Sequence, residues 1–161
     1  MHLTHTLSIF INDDSKVLIL GSFPSVKSRE YGFYYMHPQN RFYTVLFNIF
    51  NENFLSSLDE RKDFLIRHNI ALYDVIEECD ISNSEDSSIR NVIPIDLESI
   101  LKSHPNIQII GVTGRKASEL FEKHLKDKCS IRVIYLPSTS PANAKMKIVD
   151  LVEAYKELFK N

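Results

Sequence analysis

The chain has no Trp, only 4 Gly and 6 Pro, and two cysteines, Cys79 and Cys129, among its 161 residues. Two cysteines so far apart make no disulfide framework, and both are expected to be structural thiols in a reducing compartment. No C-x-x-C occurs, and the one close histidine pair, His2 and His5, falls in a segment expected to be a mobile tail, so no metal is predicted. Scarce Gly and Pro, with 43% apolar and 25% charged residues, exclude disordered, collagenous and repeat architectures and fit a single domain over residues 1–161. No apolar run nears the roughly 20 residues of a membrane-spanning helix, so no membrane contact is expected. The first residues, MHLTHTLSIFINDDSK, lack a basic start, a long apolar stretch and a small-residue cleavage site. They do not read as a signal peptide, and the cytoplasm is the expected compartment, beside the nucleoid in a prokaryote. Neither sign of charge dominates: 19 Lys and Arg stand against 21 Asp and Glu. A global basic footprint is therefore absent, and any contact with nucleic acid must come from a local patch. No oligomerisation signal stands out, and a monomer is expected.

Short apolar runs alternate with helical periodicity. Lys16–Gly21, Ile70–Val75, Ile107–Val112 and Ile131–Leu136 have the length and content of buried strands. Phe42, Val45, Leu46, Ile49 and Phe50 recur at helical offsets, as do Ala117, Leu120, Phe121 and Leu125, and Ile148, Leu151, Val152, Tyr155, Leu158 and Phe159. Ser57 to Glu60 forms an S-x-x-E capping box ahead of Phe64 and Leu65. This alternation predicts an α/β fold, a three-layer α/β/α arrangement around a mainly parallel sheet of about four strands, with ligands bound beyond the strands' carboxyl ends. The acidic, serine-rich stretch 77–91 reads as a surface excursion.

Two loops directly follow strands. Ser22 to Asn40 is long and carries Tyr31, Phe33, Tyr34 and Tyr35, which argues against disorder, and it shows neither helical nor strand period. Pro137-Ser-Thr-Ser-Pro-Ala-Asn143 is short, polar and stiff. Neither G-x-G-x-x-G nor G-x-x-x-x-G-K-[ST] follows the first strand, no G-x-S-x-G elbow exists, and Ser99-Ile-Leu-Lys102 matches S-x-x-K inside a helical pattern without the companion motifs. Aromatic and amide groups opposite a Ser/Thr/Pro loop suit a planar, uncharged ligand.

Three blocks in order, Val17-Leu-Ile-Leu-Gly-Ser-Phe-Pro-Ser25, Gly32-Phe-Tyr-Tyr-Met-His-Pro-Gln-Asn-Arg-Phe42 and Leu136-Pro-Ser-Thr-Ser-Pro-Ala-Asn-Ala144, resemble the uracil-DNA glycosylase superfamily, and within it most the hypoxanthine-DNA glycosylase branch. The first two blocks also resemble the mismatch-specific uracil/thymine glycosylases. The resemblance spans nearly the whole chain. It implies hydrolysis of the N-glycosidic bond of a deaminated base in DNA, leaving an abasic site, with no cofactor and with lesion-containing DNA as partner. A base in a duplex must be flipped into a pocket that stacks it and reads its edge. The resemblance assigns stacking to Tyr35, puts Gly21, Ser22, Phe23 and Thr113 around the base, and gives catalysis to Asn40, orienting water. It places Pro24, Ser25, Pro137, Ser138, Thr139, Ser140, Pro141 and Asn143 against DNA, with His37, Asp74 and Asn91 as further positions near the pocket. Phe23 stands where the mismatch-specific branch has a water-holding Asn, Leu136 where the superfamily usually has His, and Thr113 where relatives often carry Asn.

Plainer roles compete for the same residues. Asn40 is a good helix cap for a helix beginning at Arg41. Tyr35 alone is ordinary loop filler, His37 can shape the turn before Pro38, and Asp74 and Asn91 can satisfy local backbone groups. Lys27, Arg29, Arg115, Lys116, Lys145 and Lys147 flank the loops and would neutralise phosphates if they cluster in space. The acidic stretch 77–86 is expected away from DNA. A uracil or mismatch glycosylase is the competing enzyme, and a non-catalytic lesion-binding module the competing class.

Overall fold

The computed structural model describes residues 1–53, 57–82 and 88–160. Its centre is a four-stranded parallel sheet of β2 (Val17–Gly21), β3 (Ile70–Asp74), β6 (Ile109–Thr113) and β7 (Arg132–Leu136) in the order β3-β2-β6-β7. Strand residues alternate between faces. Val17, Ile19, Ile70 and Leu72 bury into one core with Phe42, Val45 and Leu46 of α2 (Phe42–Ile49), Phe64 and Leu65 of α3 (Leu58–Arg67), and Leu151 and Tyr155 of α6 (Ile148–Lys156). Leu18, Leu20, Ala71, Ile110 and Val112 bury into the other, against Leu97 of α4 (Leu97–Ser103) and Ala117, Leu120 and Phe121 of α5 (Arg115–His124). Burial on both faces explains the near-continuous apolar runs, and the expected three layers are present.

Three segments differ from expectation. The N-terminal residues are no loose tail: β1 (His2–Thr4) pairs antiparallel with β4 (Ile76–Asp80), which pairs with β5 (Arg90–Pro94) in a second, three-stranded sheet. That sheet replaces the surface excursion read at 77–91, of which 83–87 lie outside the described residues; the fully buried Cys79 is its inward anchor. The aromatic stretch after β2 contains α1 (Val26–Tyr31), where Ser25 Oγ accepts the Ser28 N–H and Gly32, at φ 76°, ends the helix. Six residues whose apolar side chains, Val26 and Tyr31, stand only at the two ends give no periodic signal. Ser99 and Lys102 lie within α4, as their pattern predicted.

Tyr155 couples the outer layer to the loop after β7. Its ring is fully buried and its hydroxyl donates to the Pro137 carbonyl at 2.6 Å. Tyr155→Phe strands that acceptor, and urea unfolding is expected to show a loss of about 1–2 kcal/mol.

Candidate active site

Strand register builds the floor of the site. Gly21 pairs with Asp74, Leu20 with Val112, and Thr113 with Leu136, so the carboxyl ends of all four strands finish in one row. Gly21 has to lack a side chain. A Cβ there would lie 2.6 Å from Asp74 Oδ1, 3.3 Å from the Tyr35 hydroxyl and 3.8 Å from Thr113 Oγ1. Three polar atoms from three segments thus converge above one α-carbon. Asp74 is buried, and burial raises its carboxyl above the usual range, opposed by hydrogen bonds from His5 and the Gly21 backbone. Leu136 is a core residue, 4% exposed, and Thr113 Oγ1 makes a long 3.5 Å bond to the Leu20 carbonyl.

Tyr35 forms one wall. Its ring stacks on Phe42 of α2, with centroids 3.8 Å apart and planes within 13°. Burial pushes its hydroxyl well above the usual tyrosine range, opposed by the Thr113 hydroxyl. Its φ of 58° is left-handed. The other non-glycine residues with positive φ among those described are Asn51, Asn69 and Asn91, a residue type that tolerates this region, whereas an aromatic there costs about 1–3 kcal/mol and needs support from its surroundings. Phe42 and the hydrogen bond from the Tyr43 hydroxyl to the Tyr34 carbonyl (2.8 Å) supply that support.

Asn40 joins two loops. Its Oδ1 accepts the Phe42 N–H at 2.9 Å and the Thr139 hydroxyl at 2.7 Å, while the Arg41 N–H donates to the Thr139 carbonyl at 3.1 Å. A backbone N–H requires an acceptor, so these contacts fix which end of the amide is oxygen. Nδ2 donates to no group among the described residues. Arg41 reinforces the join, donating to the carbonyls of Met146 (2.6 Å) and Asn143 (3.0 Å). The Asn40 cap is real but sits one residue early: Arg41 is the boundary residue of α2, and Asn40 bonds two residues ahead. A cavity of about 420 Å³ opens beside it, lined in part by His37, Gln39, Thr44 and Arg61.

The loop after β7 is braced internally. Ser138 Oγ accepts the Ser140 N–H (3.1 Å), Ser140 Oγ accepts the Ala142 N–H (3.2 Å), and Asn143 Nδ2 donates to the Ser138 carbonyl (2.9 Å). Thr139 is buried, with its hydroxyl spent on Asn40, whereas Pro137, Ser138, Ser140, Pro141 and Asn143 are partly exposed. Arg115 and Lys116 open α5 directly after Gly114, whose α-carbon faces Ser138, and Lys145 and Lys147 close the same loop. Lys27 instead pairs with Glu30 at 3.4 Å, and Arg29 lies over the Phe23 ring at 5.9 Å.

Other predicted residues are placed as follows. The carbonyls of Gly21 and Ser22 accept the N–H groups of Val75 and Ile76, which pins the first loop to the start of β4. Phe23 is half-buried against the second core, Pro24 is buried, and Ser25 caps α1. His37 Nδ1 accepts the Gln39 N–H at 3.1 Å and so shapes the turn. Asn91 is exposed on β5 and donates to Asp80 at 2.7 Å, at the end of β4 remote from Asp74, and is not gathered into the site.

A family model for the uracil DNA glycosylase superfamily matches residues 9–159. The chain belongs to that superfamily. It is 32% identical over 136 residues to a hypoxanthine DNA glycosylase of Methanosarcina acetivorans, covering 84% of this chain and 85% of the relative. To the hypoxanthine DNA glycosylase of Methanosarcina barkeri it is 34% identical over 111 residues, covering 68% and 70%. A solution NMR structure from M. acetivorans with a uracil DNA glycosylase designation superposes with a TM-score of 0.82 at 26% identity, covering 99% of this chain and all of that one. The three blocks noted in the sequence are β2 with the start of its loop, the segment that carries Tyr35 and Asn40, and the loop after β7. Three contributors escaped the sequence reading. Phe42 and Arg41 sit inside a motif already noted, where the stacking and the clamp leave no separate signal, and His5 stands alone in a segment without periodicity.

Gly21→Ala drives a methyl into the Asp74 carboxylate. It is expected to cost about 1–3 kcal/mol by thermal unfolding, as overpacking does, and to reduce base release in the same preparation.

Proposed function

We propose that the chain hydrolyses the N-glycosidic bond of a deaminated base in DNA, with hypoxanthine preferred, leaving an abasic site and using no cofactor. The observation that carries this reading is the locked carboxamide of Asn40, with its oxygen held by Phe42 and Thr139 and its Nδ2 without a partner among the described residues. The Tyr35–Phe42 stack supplies the platform. The flipped base lies on the open face of Tyr35, where an offset aromatic stack is favourable. The bond from the anomeric carbon to the base nitrogen breaks, and its electron pair leaves with the base. Water then adds to the anomeric carbon, and the proton it loses passes to the departed base, which leaves as the neutral free base. With Oδ1 occupied, Asn40 holds that water through Nδ2, by one lone pair, and does not act as a base. Phe23 and Leu136 carry no side-chain hydrogen-bonding group for the departing base, so the backbone N–H groups of Ser22 and Phe23 are its donors. Two relatives named hypoxanthine DNA glycosylases support hypoxanthine as the substrate.

DNA lies across the strand ends. Ser25, Pro137, Ser138, Ser140, Pro141 and Asn143 meet its backbone and the gap left by the flipped nucleotide, while Pro24 and Thr139 underpin these loops from within. Arg115, Lys116, Lys145 and Lys147 neutralise phosphates, giving a local patch on a chain of net charge −2. None of the helices among the described residues is long and apolar enough to cross a membrane. The same reading has residues 1–161 act as one monomeric unit in the cytoplasm.

Labelled duplexes holding one hypoxanthine, uracil or xanthine, incubated with the protein and treated with alkali, test this directly. Strand scission at hypoxanthine is expected, with Asn40→Ala lowering the single-turnover rate by about 10²–10³-fold, the range for loss of one preorganised donor. Scission at uracil alone would make the protein a uracil glycosylase, and lesion-specific binding without scission a non-catalytic module. Arg115→Ala and Lys147→Ala are each expected to weaken binding to every duplex and to flatten the plot of log affinity against log salt by about 0.9.

A further inference from the structure

A buried hydrogen-bonded histidine–carboxylate couple beneath the site has no part in the mechanism above. His5 Nε2 lies 2.9 Å from Asp74 Oδ2, with the two side chains 0% and 5% exposed. The N-terminal segment delivers it: β1 is sewn to β4, and the His5 N–H donates to the Glu77 carbonyl at 2.7 Å. Its tautomer follows from its other nitrogen. Nδ1 accepts the Leu7 N–H at 3.2 Å and so bears no proton, which leaves Nε2–H as the donor to Asp74 from a neutral imidazole. The ring is held among Tyr73, Phe23 and Tyr34, with centroids 4.6, 5.6 and 6.1 Å away. Rotation of the carboxylate is thereby stopped. Oδ2 is consumed by His5, and Oδ1 stands over the α-carbon of Gly21, beside the Tyr35 hydroxyl.

We propose that His5 is a positioning residue of the glycosylase site, whose Nε2–H fixes the Asp74 carboxylate so that Oδ1 accepts the ring N–H of a deaminated base. This rests on the glycosylase reading and extends it to base discrimination. Deamination turns adenine into hypoxanthine and cytosine into uracil, and in both cases a bare ring nitrogen becomes an N–H flanked by a carbonyl. An acceptor held opposite that nitrogen favours the lactam and meets a lone pair in the parent base. A carboxylate free to turn would lose the distinction, because it would also reach the amino group of adenine or cytosine. Immobilising Asp74 is thus a specificity requirement, met by a residue from the other end of the fold's topology.

The experiment is a double-mutant cycle on the full chain, read by single-turnover release from the hypoxanthine duplex, with duplex affinity and thermal unfolding measured on every variant. His5→Leu is expected to lower the rate by about tenfold or more with duplex affinity retained, and to lower it no further in an Asp74→Asn background. His5→Gln, whose amide N–H reaches the same oxygen, is expected to recover most of the loss. Long-range proton–nitrogen spectra of the free protein should show His5 protonated at Nε2 alone. Release by the unaltered protein at the same rate as His5→Leu overturns this proposal alone, as do additive losses in the cycle, equal losses in His5→Gln and His5→Leu, or an imidazolium pattern. Failure of the unaltered protein to release hypoxanthine, uracil or xanthine overturns the glycosylase reading and this proposal with it.

Discussion

One side-chain oxygen, Asn40 Oδ1, holds the working end of the molecule together. It receives a backbone N–H from its own helix and a hydroxyl from a loop 99 residues further along the chain. Two segments that share no secondary structure are thereby placed to within a hydrogen-bond length of each other. Everything nearby depends on that junction. Arg41 extends it by gripping two further carbonyls of the distant loop, Phe42 offers its ring to Tyr35, and Tyr155 supports the same loop from below. A charge-assisted or neutral hydrogen bond contributes only about 0.5–3 kcal/mol, so no single contact here fixes the geometry. The set does so because its members share atoms and cannot be satisfied separately.

The sheet makes this possible by ending its strands together. In a parallel sheet buried on both faces, side chains within the layers are committed to the cores, and only the terminal row is free to do chemistry. Gly21, Asp74, Thr113 and Leu136 form that row. Of these, Leu136 is given to the core and Gly21 has no room for a side chain beside the Asp74 carboxylate, which leaves Asp74 and Thr113 as the polar floor. Burial raises the Asp74 carboxyl, a cost that hydrogen bonds offset, and His5 Nε2 lies 2.9 Å from Oδ2 to make one. One oxygen of this buried carboxylate is taken by His5 and the other stands over the α-carbon of Gly21.

Much of this was legible in the sequence. The four parallel strands, the helix carrying Phe42, Val45 and Leu46, and the capping box at Ser57 follow from periodicity, since burial on two faces and a 3.6-residue repeat both leave marks in residue type. The family was legible because three of its blocks occur in order, and these blocks carry the loops of the candidate site. What escaped was carried by single residues acting across the fold. His5 meets Asp74 through 69 intervening positions, and nothing in a lone histidine announces a partner that far away. The helix α1 escaped because its ends are defined by Ser25 and Gly32 while its interior has no apolar period. The small antiparallel sheet escaped for a related reason: Glu78 and Asp80, both bonded to His2, alternate with the buried Cys79 in a short strand, so an edge of sheet reads as an acidic loop.

The departures from the superfamily pattern constrain the chemistry more than the matches do. With Phe23 and Leu136 in place of an amide and an imidazole, the side chains around the base carry neither a proton acceptor nor a cationic helper at those two positions. Asn40 cannot replace them as a base, because its oxygen is occupied and its nitrogen only donates. On the proposed mechanism, the site therefore suits a reaction in which bond breaking runs ahead of water attack. In such a reaction the nucleophile needs placement more than activation, and the barrier falls through stacking, alignment and backbone dipoles. Each of these is a matter of rigid geometry, which is why strain at Tyr35, a locked amide at Asn40 and a clamped carboxylate at Asp74 occur within one small region of an otherwise ordinary α/β fold.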